Sequence, residues 1–349
     1  MKQKVRFGVL GGGGIADRRT LPAMMLCEDA ELVSVMEIDP VIAEKLRAKY
    51  SAKRAFVTEE ELLSDPEIDA VYIASPVSLH ARQAMLAADN KKHILIEKPL
   101  ALTALEGQRV VDYCAQKGVL IAAGFMMRFG SYTMAIKEAF AAGKIGTLVS
   151  AYAQFTCWYP DMPGNWRQKK SGGGGGALMD MGVHCIDLIQ YITRNRVREV
   201  AAFNDTMTFH YEVEDSSCVL LRLENGAMCV VQTNFNIPDE AAKWRLEFFG
   251  TRGRMLGDNI LGQVDGGSVD ACFLASVSDY DAQQDGKTLE NETLPVTLGN
   301  PYAREIESFC RSIRTGEKLE VPASDAVYVQ RVVEAAYEAS AAGKTIALF

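Results

Sequence analysis

Asp180 and His184 stand four residues apart in Leu178-Met179-Asp180-Met181-Gly182-Val183-His184-Cys185-Ile186-Asp187, an apolar stretch with helical spacing. Residues i and i+4 of a helix share a face. The carboxylate can then fix the imidazole's tautomer and raise its basicity, as a general base and its orienter require. A histidine on an apolar helix can equally be a satisfied core residue. Asp-x-x-x-His with no second histidine near it is a poor zinc set, and no metal is expected. Lys98 is the second reactive candidate. It follows the apolar run His93-Ile94-Leu95-Ile96-Glu97 and precedes Pro99, which favours an extended lysine and permits a cis peptide. Its ammonium would then point to the ligand edge of a sheet. The competing reading is a surface lysine at a strand end.

These groups need a scaffold and a ligand to act on, and Val5–Ala16, VRFGVLGGGGIA, supplies the signal for both. An apolar strand runs into four glycines, and Ile15 and Ala16 open a helical pattern. The spacing is G-x-G-x-x-A. Gly11 permits the turn, Gly13 allows close approach of backbone, and Ala16 takes the small position where helix and strand pack. The N–H groups around Gly13, Gly14 and Ile15, with the helix dipole, suit the pyrophosphate of a dinucleotide. The second strand, Ala30–Ile38, ends in Glu37-Ile38-Asp39-Pro40. Glu37 is the candidate for holding a cofactor ribose, and Asp39 fits a helix cap before Pro40 better. A carboxylate there accepts from 2′ and 3′ hydroxyls and repels a 2′-phosphate. Two unit charges about 4 Å apart cost roughly 4 kcal/mol at an effective dielectric near 20, which favours NAD over NADP. Arg18 and Arg19 lie just downstream and soften that preference.

Short strands and helices alternate through the first third: strands near 55–57, 70–74, 93–96 and 119–123, with helices at 41–50, from Thr58, from Ser78 and over 103–117. Repeated βα units of this length imply a doubly wound parallel sheet, whose ligands bind outside the C-terminal strand ends. Glu37, Ser75, Pro76, His80 and Glu97-Lys98-Pro99 should line that crevice, with His80 either touching the cofactor or merely half-exposed. From Phe125 the pattern changes. A helix over 134–142 and strands over 147–159, 197–211, 216–223, 227–235, 243–249 and 288–297 indicate an antiparallel sheet, with Asn225-Gly226 as a two-residue type I′ hairpin signal. Residues 261–286 read as irregular. Helices over 302–315 and 323–342 close the chain. Two domains follow, 1–124 and 125–349. The run Gly172–Gly176 is either a flexible linker or, since it leads into the Asp180 helix, a close-approach loop.

The bulk numbers exclude other classes. At 349 residues the chain can form two domains with ample core. A net charge of −8 without a basic block argues against nucleic acid or anionic membranes. No apolar run reaches the roughly 18 residues a bilayer span needs. The start MKQKVRFGVL already reads as a strand, so no signal peptide is expected. The 8 cysteines include no C-x-x-C pair and read as reduced core residues of a cytoplasmic protein.

Taken together, these residues resemble the glucose–fructose oxidoreductase / inositol dehydrogenase / MocA family. The resemblance rests on G-x-G-x-x-A at Gly11–Ala16, Glu37, Ser75-Pro76 with His80, Glu97-Lys98-Pro99, Arg128, Gly143 through Gly146, Trp166-Arg167, and Asp180-x-Gly-x-His184-x-x-Asp187. It extends to the closing helices. Ser75 and Ser78 depart from the usual threonine and asparagine. The resemblance implies an N-terminal Rossmann fold and a C-terminal α+β domain with a large, mostly antiparallel open sheet, through which copies form homodimers or homotetramers. It implies NAD(P)-dependent hydride transfer at a secondary hydroxyl or ketone of a sugar or cyclitol. His184 would be the general base, Lys98 would stabilise alkoxide charge on the same oxygen over the nicotinamide, and Asp180 would orient His184 or bind a neighbouring hydroxyl. Trp166 and Arg167 would border the nicotinamide. Arg128, Gln154, Trp158 and Tyr302 are candidate substrate contacts. Two rivals on the same fold are an NAD-dependent glycosidase, which releases sugar without net NADH, and a non-catalytic nucleotide-sensing regulator.

Overall fold

A computed structural model describes residues 4–274 and 289–349. The chain forms two compact units, and neither is continuous in sequence: the first takes residues up to Met126, Gly164–Gly175 and Asn300–Arg331, the second Met127–Pro163, Gly176–Gly299 and Val332–Phe349. The expected division at 124/125 assigned everything after it to one domain. The difference has a packing cause within the first unit. A parallel sheet must be covered on both faces, and the helix Pro301–Thr315 supplies cover from far along the chain. It presents Ile306, Phe309 and Cys310 as buried residues, and the Phe309 ring lies 6.3 Å from that of Phe7.

The first unit carries six parallel strands, β1 Val5–Leu10, β2 Ala30–Met36, β3 Arg54–Phe56, β4 Ala70–Ile73, β5 His93–Glu97 and β6 Ile121–Gly124, in the order β3-β2-β1-β4-β5-β6. This is the doubly wound order expected from the βα repeats, with its topological switch between β1 and β4. The strands are apolar on both faces: Phe7, Val9, Leu10, Val71, Tyr72, Ile73, Ile94 and Ile96 are all buried. The turn after β1 is set by contact as well as by backbone freedom. Gly11 has φ +73°, and a Cβ there would lie 2.7 Å from the Ser75 backbone nitrogen. The β1 turn and the β4 turn therefore touch backbone to backbone, and only glycine fits between them. Residues Ala16–Thr20 then form a π-helical segment.

The second unit is built on nine strands: β7 Leu148–Thr156, β8 Val197–Asp205, β9 Ser216–Leu223, β10 Met228–Asn234, β11 Arg245–Gly250, β12 Gly253–Asp258, β13 Ser268–Leu274, β14 Leu289–Glu292 and β15 Ile346–Ala347. Their order is β14-β13-β12-β11-β7-β10-β9-β8-β15, with β7 and β10 parallel and the remaining neighbours antiparallel. Alternation along β7 turns Ala151, Ala153 and Phe155 inward, toward the face on which the helix Val183–Thr193 packs. The other face carries Phe203, Leu220, Met228 and Phe249, all exposed.

Three local expectations are corrected here. Strand β13 falls within 261–286, which had read as irregular, while residues 275–286 lie outside the described residues. The strand expected over 197–211 stops at Asp205, because the Asp215 carboxylate accepts the N–H groups of Met207, Thr208 and Phe209 and holds them out of the ladder. The β9–β10 hairpin has a three-residue loop. Leu223 and Ala227 close it, Gly226 N donates to Leu223 O at 2.9 Å, and the positive φ falls on Gly226 and not on Asn225. That is the type I turn followed by a left-handed glycine.

Candidate active site

In the first unit the expected cofactor residues gather at the C-terminal ends of the strands. The Glu37 carboxylate accepts from Gly13 N at 2.9 Å and from Ile38 N at 3.0 Å. Asp39 instead caps the helix Pro40–Lys49, accepting from Val41 N at 2.8 Å. Gly14 is exposed, and a Cβ there would meet nothing within 4 Å. Ile15 is half-buried as the helix opens. The turn thus presents a donor already directed at a carboxylate, with open space beside it, and these features fit the anionic and ribose portions of a dinucleotide.

Behind that surface runs a polar network that the sequence did not announce. The Thr20 hydroxyl donates to the Tyr72 hydroxyl at 2.8 Å, and Tyr72 donates to Glu97 Oε1 at 2.5 Å. Burial raises the Glu97 carboxyl above its ordinary range, against the pull of Tyr72, Lys98 and Arg167. Tyr302 is buried in the same unit, and the Glu97 charge helps raise its hydroxyl. Tyr302 was expected among substrate contacts. Its burial makes it part of the Glu97 surroundings instead. Tyr72 gave no signal because a tyrosine inside Ala-Val-Tyr-Ile reads as strand packing.

Ser75 and His80 also turn inward. Ser75 Oγ donates to Gln83 Oε1 at 2.5 Å, and Gln83 Nε2 donates to Glu59 Oε2 at 2.7 Å. His80 is 1% exposed, with Nδ1 2.9 Å from Pro99 O and Nε2 2.9 Å from Ser75 O. Its expected contact with a cofactor is corrected: both ring nitrogens face backbone carbonyls. The ring ties the β4 turn, at Ser75-Pro76, to the β5 turn that carries Lys98. The Lys98–Pro99 peptide is cis, and Lys98 is half-buried with its N–H 3.3 Å from Glu97 Oε2. Arg167 lies over the Trp166 ring at 4.3 Å, and its charge reaches both Glu97 and His80. Gly172 is pressed on this segment, since a Cβ there would lie 2.4 Å from Trp166 O. The glycine run is a close-approach loop.

In the second unit Asp180 falls in a π-helical segment, Leu178–Gly182, which passes into the helix Val183–Thr193 carrying His184. Asp180 is half-buried and His184 buried. π turns inside helices often occur at functional sites. The start of this segment is held by Glu214, which sequence reasoning missed. Its carboxylate accepts from Gly176 N at 3.0 Å and Leu178 N at 2.9 Å. The acidic pair Glu214-Asp215 just before an apolar strand was the available signal.

Two expected substrate contacts are corrected in this unit. Arg128 is 4% exposed and makes a two-pronged ion pair with Asp187, Nε–Oδ2 2.9 Å and Nη2–Oδ1 2.5 Å, with its guanidinium 4.6 Å from the Tyr191 ring centre. Buried charges are kept this way because an unpaired one would be costly. Gln154 shares its strand face with Tyr152 and pairs across to Gln232, opposite the face on which the His184 helix packs. Trp158 remains 44% exposed, with its ring against Phe209 at 5.2 Å.

Comparison with known proteins bears on both units. A family model described as an oxidoreductase family with an NAD-binding Rossmann fold matches residues 5–125, and the GFO/IDH/MocA C-terminal domain matches 133–256. The chain is 30% identical over 342 residues to D-xylose 1-dehydrogenase (NADP(+)) 2 of Haloferax volcanii, covering 98% of this chain and 99% of that protein. It is 26% identical over 326 residues to myo-inositol 2-dehydrogenase of Thermotoga maritima, covering 92% of each. The fold matches aldose-aldose oxidoreductase from Caulobacter crescentus, solved with glycerol, at a TM-score of 0.88 and 24% identity, covering 99% of this chain and 100% of that one.

The buried His80 ring makes stability depend on pH. Burial pushes its pKa down to about 4 from 6.5, while the Pro99 and Ser75 carbonyls pull the other way. With the folded value below the unfolded one, the contribution is complete above about 6.5 and is lost as pH falls toward 4, roughly 3 kcal/mol in all. Urea unfolding of His80→Asn should therefore weaken less between pH 7 and pH 4.5 than the parent does. Equal weakening would mean that His80 titrates normally in the fold.

Proposed function

This chain belongs to the GFO/IDH/MocA family of oxidoreductases, with an NAD-binding Rossmann domain, and we propose that it moves a hydride between nicotinamide and a secondary hydroxyl or ketone carbon of a sugar or cyclitol. The observation that carries this reading is the glycine turn with Glu37 on its Gly13 N–H, in a chain that also holds Glu97-Lys98-Pro99 and Asp180-x-Gly-x-His184. The sugar and cyclitol dehydrogenases among its relatives support the substrate class.

Gly14 and Ile15 would hold the pyrophosphate with backbone N–H groups, beside Gly13, whose own N–H is directed at Glu37, and the Glu37 carboxylate would accept the ribose hydroxyls. Trp166 and Arg167 would border the nicotinamide, which when bound would supply the carbon that gives or takes the hydride. An alcohol proton is too weakly acidic to leave unaided at neutral pH. His184 takes it on a ring nitrogen, a contribution of roughly 10²–10⁴ in rate. The Lys98 ammonium suits stabilising negative charge that develops on a substrate oxygen. Asp180 orients the imidazole, and Trp158 offers an exposed ring to the substrate.

Copies of the chain associate through the open face of the nine-stranded sheet as homodimers or homotetramers. Phe203, Leu220, Met228 and Phe249 lie exposed together on that face, and exposed apolar groups of this kind mark interfaces. The free cysteines support a reducing, cytoplasmic setting, and no described helix is long and apolar enough to cross a membrane.

Four measurements test this reading. Polyols, aldoses, cyclitols and nucleotide sugars are screened with NAD for NADH absorbance. Lys98→Ala and His184→Ala should each lower turnover by roughly 10²–10⁴ while NAD binding persists, and near-normal turnover in both would remove them from the chemistry. Fluorescence titration should rank NAD above NADP, with Glu37→Ala narrowing the gap; the reverse order for the parent protein refutes the role of Glu37. Sedimentation should give a dimer or tetramer that Phe203→Glu with Leu220→Glu dissociates, and a monomeric parent would refute the interface.

A further inference from the structure

The helical segment that carries Asp180 and His184 begins without a side-chain cap of its own. The first N–H groups of a helix have no partner within it. Here three successive ones go to a single distant residue. Gly176 N and Leu178 N donate to the two carboxylate oxygens of Glu214, at 3.0 and 2.9 Å, and Ala177 N donates to the Glu214 main-chain oxygen at 3.1 Å. The approach is so close that a Cβ on Gly176 would lie 1.9 Å from that oxygen. Asp180 N then donates to Gly176 O at 2.9 Å, the first rung of the ladder. Glu214 is 8% exposed, and the Tyr337 hydroxyl donates to its Oε1 at 2.9 Å.

We propose that Glu214, backed by Tyr337, is a positioning residue for the Asp180–His184 pair. It sets where the helix starts, and through Gly176 and Leu178 it sets the height and rotation at which Asp180 and His184 stand. Three donors converge on the carboxylate, so the ionised form is the matching one, and negative charge at a helix N-terminus is favourable. Glutamine has the same shape but not the same acceptors. Whichever way its amide is turned, one N–H of the helix faces an amide N–H. The start of the helix then shifts, and displacements of about 1 Å at a reacting pair can cost roughly 10²-fold. This inference rests on the reading of His184 as the general base.

The test compares Glu214→Gln, Tyr337→Phe and His184→Ala with the parent, using myo-inositol, D-xylose and D-glucose with NAD as probes. Glu214→Gln should lower kcat by roughly 10–100-fold, with KM changing less and NAD affinity unchanged. Tyr337→Phe, which keeps both N–H bonds, should lower kcat severalfold. The His184 ring-proton resonance should move in Glu214→Gln while that of His93 stays. Parental kcat and an unmoved His184 signal, with only the melting temperature lowered, would overturn the proposal. If Glu214→Gln does not fold, Tyr337→Phe decides, and parental kcat in that variant overturns it. An active His184→Ala would instead overturn the base assignment; if the parent turns over none of the three sugars, the His184 resonance in Glu214→Gln decides, and an unmoved signal overturns the proposal.

Discussion

Backbone N–H groups that no helix can satisfy for itself organise both units of this protein. Each unit has a helix that follows glycine and opens with a π-helical segment, Ala16–Thr20 after Gly11–Gly14 in the first and Leu178–Gly182 after Gly176 in the second. In each, a carboxylate from elsewhere in the unit meets the exposed donors: Glu37 at Gly13, and Glu214 at Gly176 and Leu178. Glycine is required for opposite reasons of access. Around Gly14 there is open space, which a ligand can enter. Around Gly176 there is none, because the Glu214 backbone already occupies it. One glycine turn is left open to bind, and the other is closed to hold still.

The same distinction separates the two acids. Glu37 is half-buried and bonds a single turn N–H besides its neighbour's, so it can share its oxygens with a ribose. Glu214 is buried, bonded to two N–H groups and a tyrosine hydroxyl, and has nothing left to share. Burial raises its carboxyl above the ordinary range, while the bonds from Leu178, Gly176 and Tyr337 act against that rise. A carboxylate kept in such a place is a fixed part of the framework.

Several polar residues that looked reactive in the sequence are part of that framework too. Arg128 and Asp187 neutralise each other in the core of the second unit, and His80 is lodged between the β4 and β5 turns with a carbonyl of each beside its ring, its single neutral-form N–H donating to one of them. In the first unit this leaves Lys98 on a turn braced from one side by His80 and flanked on the other by Glu97 and Tyr72. The proposed chemistry rests on Lys98, Asp180 and His184, and the proposed cofactor contact on the glycine turn with Glu37.

The sequence by itself determined the elements and much of their order. A period of two or 3.6, a glycine turn before a helix, and a cap such as Asp39 depend on neighbours along the chain, so the parallel βα repeat and the strand-rich second half could both be read. It also located the glycine turn, Glu97-Lys98-Pro99 and the Asp180–His184 spacing, because each is a local pattern. Only the tertiary structure decided which polar side chains are already spoken for. Arg128 meets Asp187 59 residues away, Gly176 meets Glu214 38 residues away, and the helix Pro301–Thr315 returns to cover β1. Those pairings follow from burial, which obliges each polar atom to find a partner wherever the fold brings one, and no spacing along the chain records them.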